Sequence, residues 1–223
     1  MRGFRTTALG STLALLVSCT GAEQQLVSTF LTAVQGGDEA TLSGVSLVKF
    51  PGTVTSWEIL EVGPESKEPF PLAEIQKEFT ELEKQIEISN ERHANFLADN
   101  AKKAEEYRRR LLKNPDSQFT GEMADFKTEL DARIAEQKEL DAKLEEVRQR
   151  IIGLQDAAGL SLNIAVNDNF EGEVKGKVVR LKVHDGSEEK SYSFMLRRFE
   201  LSDPERNLTP MSRWIITDIE EQA

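Results

Sequence analysis

Residues that could carry acid–base or metal chemistry are sparse in this sequence. His93 and His184 are its only histidines, and they lie in different predicted segments. A metal centre or a general acid–base pair needs several suitable side chains that converge at matched spacing. The sequence therefore predicts no catalytic residue, no metal ligand and no cofactor.

A polar segment near residue 170 places oxygen-bearing side chains at alternate positions. Asn167, Asn169 and Glu171 precede Gly172, a spacing that partly matches a calcium-binding loop. Such a loop begins with Asp and ends with a bidentate Glu, whereas this segment begins with Asn and has Val178 at the last ligand position. The pattern favours a polar turn.

Carboxylates on the predicted strands are a further candidate for acid–base chemistry. Glu58, Glu61 and Asp218 have no histidine at a spacing that pairs with them. A carboxylate becomes a general acid near neutral pH only when its surroundings raise its pKa. A solvated strand-edge charge is the commoner arrangement, so we expect no enzyme.

Cys19 is the only cysteine, and it follows a short apolar segment. Arg2 and Arg5 precede an apolar run over residues 8–17, which is typical of a secretory signal and too short to span a bilayer as a mature helix. With no second thiol, a disulfide within the chain is not expected.

The segment Leu16-Val17-Ser18-Cys19 resembles the lipobox of bacterial lipoproteins. The resemblance implies that residues 1–18 are a signal peptide and that Cys19 carries the lipid, since two or three acyl chains anchor a protein firmly. Thr20 in place of Asp implies the outer membrane, facing the periplasm, more than the inner membrane. The alternative is an ordinary secretory signal with an unrelated cysteine.

Residues 71–157 predict an antiparallel coiled-coil helical hairpin. In its first arm, apolar residues recur at alternating intervals of three and four, which is typical of a helix buried against one partner: Leu72, Ile75, Phe79, Leu82 and Ile86. The apolar positions then move one residue later, to Leu97, Ala101, Ala104 and Leu111, which predicts a stutter. The arm is expected to end at Asn114, because the residue before a proline avoids the α region.

The second arm is predicted to begin at a cap formed by Asp116 or Thr120. Its apolar positions follow the same rhythm, at Phe119, Met123, Phe126, Leu130, Leu140, Leu144, Val147, Ile151 and Leu154.

Polar residues interrupt the predicted seam between the arms. Arg133 and Gln137 take apolar positions and are expected to lie level with His93 and Asn100. Such a polar layer fixes register at some cost in stability. A splayed hairpin, or a bound ion or partner at the layer, is the alternative.

Residues 19–70 and 158–223 predict two parts of one α+β domain. Helical spacing over residues 26–34 predicts an N-terminal helix that ends at Gly36-Gly37, followed by a short helix capped by Asp38. Strands are predicted over 54–62, 160–166, 174–183, 192–197 and 214–219, with a bulge near Gly176 and a turn at Asp185-Gly186. We expect a curled antiparallel sheet packed on the N-terminal helices, with the hairpin inserted after the first strand.

Two motifs of this domain resemble those of nuclear transport factor 2-like proteins. Phe30-Leu31-Thr32-Ala33-Val34-Gln35-Gly36-Gly37-Asp38 is similar to their opening helix and turn, and Arg213-Trp214-Ile215-Ile216-Thr217-Asp218-Ile219 to their last strand. The resemblance implies a cone-shaped fold that often holds a pocket. Aromatic residues that could line such a pocket, or form its core, are Trp57, Phe170, Tyr192, Phe194, Phe199 and Trp214.

The net charge of −11 and the lack of an evident basic stripe argue against nucleic acid as a partner. We expect a non-enzymatic, lipid-anchored envelope protein whose hairpin serves as a spacer, a protein-docking arm or a self-association surface. The alternative is a small-molecule-binding or weakly catalytic pocket protein, with the hairpin as lid or oligomerisation arm. An export adaptor is a third hypothesis that fits the strand pattern less well.

Overall fold

The computed structural model describes residues 21–222, which form an α+β fold. The predicted fold class and the antiparallel sheet are confirmed. The helices are α1 (Ala22–Gly36), α2 (Glu39–Val45), α3 (Leu72–Asp99), α4 (Ala101–Lys113) and α5 (Glu122–Leu162), and the strands are β1 (Ser56–Val62), β2 (Ser66–Pro69), β3 (Glu171–His184), β4 (Glu189–Ser202) and β5 (Ile215–Gln222). The predicted signal peptide and Cys19 lie outside the described residues.

Strand β3 is the centre of the sheet, whose order is β1-β3-β4-β5. The first part of β3 pairs with β2 and its second part with β1, while β4 pairs along its whole length. The β3–β4 turn contains Asp185-Gly186, as predicted, and Gly186 has the positive φ of 102° that such a turn requires.

The two faces of the sheet are buried by different helices. On one face, Val179, Leu181 and Phe194 pack with Val27 and Phe30 of α1. On the other face, the opposite ends of the same strands pack under α5, through Val174, Phe199 and Leu201 together with Ala158 and Leu162. The chain therefore has one sheet between two apolar clusters.

This two-sided burial corrects the predicted bulge near Gly176. The β3–β4 register runs without a shift from Glu171 to His184. The apolar alternation changes between Val174 and Val179 because the covered face changes there, from the α5 side to the α1 side. Register shifts occur instead at Ile59/Glu61 in β1 and at Met195/Leu196 in β4.

The N-terminal helices follow the predicted signals. Gly37 adopts the left-handed conformation at φ 65° and donates its N–H to carbonyls of the last turn of α1. Asp38 caps α2 by accepting a hydrogen bond from the Thr41 backbone N–H at 3.1 Å. Hydrogen bonds from the Thr41 hydroxyl and backbone lower the pKa of Asp38.

Helices α3, α4 and α5 form a helical arm, residues 72–162, whose members pack in opposite directions. Near its base, Leu82 of α3 and Leu144 of α5 belong to one apolar cluster. Farther out, the rings of Phe96 and Phe126 stack with centroids 5.3 Å apart. None of the described helices is both long enough and apolar enough to cross a membrane.

Several predicted boundaries of the arm are wrong. Helix α5 continues to Leu162, so residues 160–166 are not a strand: Asn163, at φ 55°, ends the helix. The helix begins after Gly121, and neither Asp116 nor Thr120 caps it. The predicted end of the first arm is confirmed, since α4 stops at Lys113.

Strand β2 was not predicted, and it places the arm after the second strand. Its four residues, Ser66–Pro69, are all exposed and mostly polar, so no apolar alternation marks them. Pairing with β3 forms the strand.

The predicted stutter is also wrong. Phe96, at 9% exposure, takes the buried position instead of Leu97. The intervals of three and four therefore continue from Leu82 through Ser89 and Phe96 as far as Asn100.

Candidate functional site

The candidate site is the far half of the helical arm, where α3 gives way to α4. Asn100 separates the two helices, with φ −111° and ψ 25°. Its side-chain amide donates to the Phe96 carbonyl at 3.0 Å, the acceptor that its own backbone N–H also uses. Asparagine competes in this way with regular helix bonding, which explains the interruption.

Arg133 of α5 is the member of the predicted polar layer that reaches across to α3. Its guanidinium lies 4.6 Å from the centre of the Phe96 ring, within the range of a cation–π contact. It donates to the Arg92 carbonyl at 3.4 Å and pairs with Glu129 at 2.7 Å. Its Nε is buried without a hydrogen-bond partner among residues 21–222.

The other layer residues bond within their own helices. Gln137 donates to Asp141 at 3.2 Å, and Asn100 donates to Phe96. His93 is half-buried on α3. The four side chains therefore lie along one stretch of the arm, but they do not form a continuous hydrogen-bonded network.

An open cleft of about 550 Å³ lies between the α3–α4 junction and the start of α5. Phe96 and Phe126 are its apolar residues, and a 3.2 Å ion pair between Lys103 and Glu122 links α4 to α5 beside it. The remaining lining side chains carry both signs of charge: Arg92, Asn95, Asp99, Asn100, Asp125, Glu129 and Arg133. Such a mixed surface can exchange ion pairs and hydrogen bonds with a polar partner.

Beyond this cleft, α4 carries a basic stripe that the sequence analysis missed. Lys102, Arg109 and Lys113 are spaced by seven and four residues, so at 3.6 residues per turn they lie within about 20° of one line. All three are exposed and form no ion pair within the described part of the chain. The statement that the sequence has no basic stripe is therefore wrong for this helix.

The opposite side of α4 faces α5. The Tyr107 ring lies 4.9 Å from that of Phe119 and 5.9 Å from that of Phe126, which holds α4 in place. The basic stripe therefore points away from the arm. Leu112, beside Lys113, is 77% exposed.

The candidate pocket aromatics do not gather around one cavity. Phe170 and Phe199 pack in the cluster under α5, whereas Trp57, Tyr192, Phe194 and Trp214 belong to the cluster under α1. Within the second cluster, Phe30 meets Phe194 edge-on at 5.7 Å. A partly open cleft of about 340 Å³ lies to one side, between α1, α2 and the segment containing Phe50.

Trp214 lies beneath two cations. Lys177 Nζ is 5.4 Å and Arg198 Cζ 5.2 Å from its ring centre, and Lys177 also pairs with Glu23 of α1 at 2.5 Å. Burial alone would raise the pKa of Glu23, but the bond from Lys177 and the two positive charges outweigh it and lower that pKa. The group ties α1 to the sheet.

The candidate acid–base residues are exposed and separate. His184 lies 3.1 Å from Glu189 at the β3–β4 turn, Glu61 pairs with Arg180 at 3.1 Å, and Glu58 and Asp218 are exposed. Across residues 21–222, no three metal-ligating side chains cluster in a way that could hold an ion.

The calcium-like segment forms a polar turn in which Asn167 accepts from the Asn169 backbone N–H at 3.2 Å. Its Gly172 is required by packing, because a Cβ there would come within 2.2 Å of the Glu200 carbonyl oxygen.

Comparisons of the chain with protein-family models, with curated proteins and with solved structures give no match in any of the three.

Proposed function

We propose that this chain is a non-enzymatic, lipid-anchored protein of the bacterial cell envelope, attached through Cys19. In this proposal the outer membrane, facing the periplasm, is the site of attachment. The helical arm is a coiled-coil hairpin that serves as a spacer and as a docking arm for a protein partner or a second copy of the chain.

The observation that carries the docking role is the length of the arm beyond the body. Helix α5 has 41 residues, which corresponds to about 60 Å. Its last turns, from Leu154 to Leu162, belong to the apolar cluster that includes the sheet. Around Phe126 it packs on Phe96 and Tyr107 of α3 and α4 instead. The far half therefore adds nothing to the core of the body, which leaves its exposed surface for an external contact.

The position of α1 supports a spacer role. Ala22, at its start, lines a shallow cleft together with Arg213 and Trp214. The Arg213 backbone N–H donates to Ser161 at the end of α5, at 3.0 Å. Lipid on Cys19 would therefore attach near the base of the arm and hold its far end up to about 60 Å away.

The rhythm of buried positions supports the coiled-coil description. Phe126, Val147 and Leu154 of α5 are buried, and the positions between them at intervals of three and four are half-buried. Seven-residue spacing of this kind drives two helices to supercoil.

Site-specific photo-cross-linking in intact cells tests the docking role. A photoreactive amino acid replaces exposed residues of the far half, Asn95, Arg109 or Leu112, and Gln149 near the base serves as the matched control position. We expect a discrete adduct from the far positions and none from Gln149. Absence of any adduct from all three far positions contradicts docking.

The anchor is tested separately by Cys19→Ser. This variant is expected to leave the membrane fraction, and metabolic labelling with palmitate is expected to mark the unaltered chain alone. Retention of the variant in the membrane fraction contradicts attachment through Cys19.

A further inference from the structure

The strongest local charge in the molecule lies on α4, at the far end of the arm. This helix carries six Lys or Arg residues and two Glu, an excess of four positive charges, in a chain whose net charge is −11. Glu106 pairs with Arg110 within the helix. The stripe of Lys102, Arg109 and Lys113 is left free to meet negative charge, with Arg108 exposed beside it.

The acidic body does not cancel this charge. At physiological ionic strength the Debye length is about 8 Å, whereas the arm extends about 60 Å from base to tip. A surface that approaches the tip therefore meets the charge of α4 rather than that of the whole chain. The tip can attract an anion that the body repels.

We propose that α4 binds a membrane surface of anionic phospholipid, through the basic stripe and Leu112. The proposal rests on the envelope setting of the proposed function, with Cys19 holding one end of the chain and α4 meeting lipid at the other.

The chemistry of the tip fits a lipid headgroup layer. Clustered Lys and Arg on a helix attract anionic headgroups, and an exposed apolar side chain at the same height enters the acyl boundary. Leu112, at 77% exposure, is such a side chain. Among residues 21–222, no described pocket is lined by Lys102, Arg109 or Lys113, so a flat, fluid surface suits the stripe better than an inserted peptide.

Vesicle co-sedimentation tests the proposal with the chain that starts at residue 21, which contains every buried residue of both apolar clusters. The probes are vesicles with phosphatidylglycerol and vesicles of phosphatidylcholine alone. We expect binding to the first only, and weaker binding as salt rises.

The triple variant Lys102→Gln, Arg109→Gln, Lys113→Gln is expected to bind about a hundredfold more weakly, at about fivefold per cation. The matched control is Lys77→Gln, Lys84→Gln, Lys138→Gln, which makes the same charge change at exposed positions on the arm and is expected to bind as the unaltered chain does. Leu112→Ser is expected to weaken binding at unchanged charge, with Ile88→Ser as its control. Circular dichroism verifies the helix content of each variant.

Equal binding of the triple variant and its control overturns the proposal, and so does equal binding to the two vesicle types. Binding of double-stranded DNA or polyglutamate through the stripe, without vesicle binding, assigns α4 to a different partner and also overturns it. Because this chain lacks Cys19, a failure here concerns α4 alone. A failed Cys19→Ser fractionation or cross-linking experiment instead concerns the proposed function.

Discussion

The rings of Phe96 and Phe126 lie 5.3 Å apart with an angle of 12° between their planes, and they join α3 to α5 far from the body. Arg133 covers the Phe96 ring from the same helix that carries Phe126. This trio closes the arm beside an open polar cleft. The far half of the arm therefore depends on a small contact of its own, separate from the two clusters around the sheet.

We expect Phe126→Ala to loosen the far half of the arm without unfolding the body. Phe126 is 4% exposed, and truncation of a buried Phe costs about 3–5 kcal/mol of local packing. Hydrogen exchange followed by mass spectrometry should show faster exchange over residues 90–130 and unchanged exchange in β3 and β4. Ile134→Ala, at a position that is 39% exposed, is the control and should change little. Faster exchange throughout the sheet would contradict a separate far contact.

Arg133→Leu should stabilise the arm. The buried Nε of Arg133 has no partner in the described structure, and a buried unsatisfied polar group costs about 1–3 kcal/mol. Leucine at this position would extend the apolar face of α5. Thermal unfolding monitored at 222 nm by circular dichroism, a conventional helix wavelength, should show a higher midpoint. Arg150→Leu, which removes an exposed ion pair with Glu78, should leave the midpoint nearly unchanged, and a lower midpoint for Arg133→Leu would contradict the expectation.

Ser161→Ala should destabilise the junction between arm and sheet. The Ser161 hydroxyl donates to the Arg213 carbonyl at 2.7 Å and accepts from the Phe199 backbone N–H at 3.2 Å. Removing it leaves two buried backbone groups without that partner, at a cost of about 1–3 kcal/mol. Urea denaturation should give a lower free energy of unfolding, whereas Ser43→Ala, which alters an exposed hydroxyl, should have little effect. Equal stabilities of the two variants would rule out the bridging role of Ser161.

The β3–β4 turn should lose stability in acid through Asp185. Backbone hydrogen bonds from Glu188 and Ser187, and one from the Ser187 hydroxyl, lower the pKa of Asp185 from 3.8 to about 2. A carboxylate whose pKa is lower in the folded state stabilises that state fully above its unfolded pKa. The contribution should therefore be present above pH 3.8 and disappear as the pH falls through about 2.

The comparison of Asp185→Asn with the unaltered chain measures this contribution. Their difference in free energy of unfolding should be constant at mildly acidic and neutral pH and should narrow as the pH falls toward 2. Asp156→Asn, at an exposed position on α5, is the control. A difference that persists unchanged down to about pH 2 would contradict a role for the Asp185 charge.

The long helices were predictable because their pattern is local. Intervals of three and four place Leu82, Phe126 and Val147 on one side of a helix whatever the rest of the chain does. The end of the second arm was not predictable in this way. Leu160, Leu162, Ile164 and Val166 alternate as in a strand, yet Ser161 and Leu162 are buried in the last turn of α5. A short apolar alternation cannot distinguish a strand from a buried helix end.

Features that depend on partners across the chain were missed. Strand β2 has no apolar residue that marks it, and β3 supplies its pairing. The basic stripe was missed because charge was summed over the whole sequence, whereas Lys102, Arg109 and Lys113 align only when α4 forms as a helix of its own. The trio of Phe96, Phe126 and Arg133 required the register between two helices.

The burial of Val174, Phe199 and Leu201 beneath the end of α5 limits how the protein can be shortened. Excision of the whole arm would strip an apolar layer from one side of the sheet and invite aggregation. A minimal version must keep the proximal turns, including Leu72, Leu154 and Leu162, and can be trimmed only beyond them. The arm is thus a lid for the body at one end and a free extension at the other.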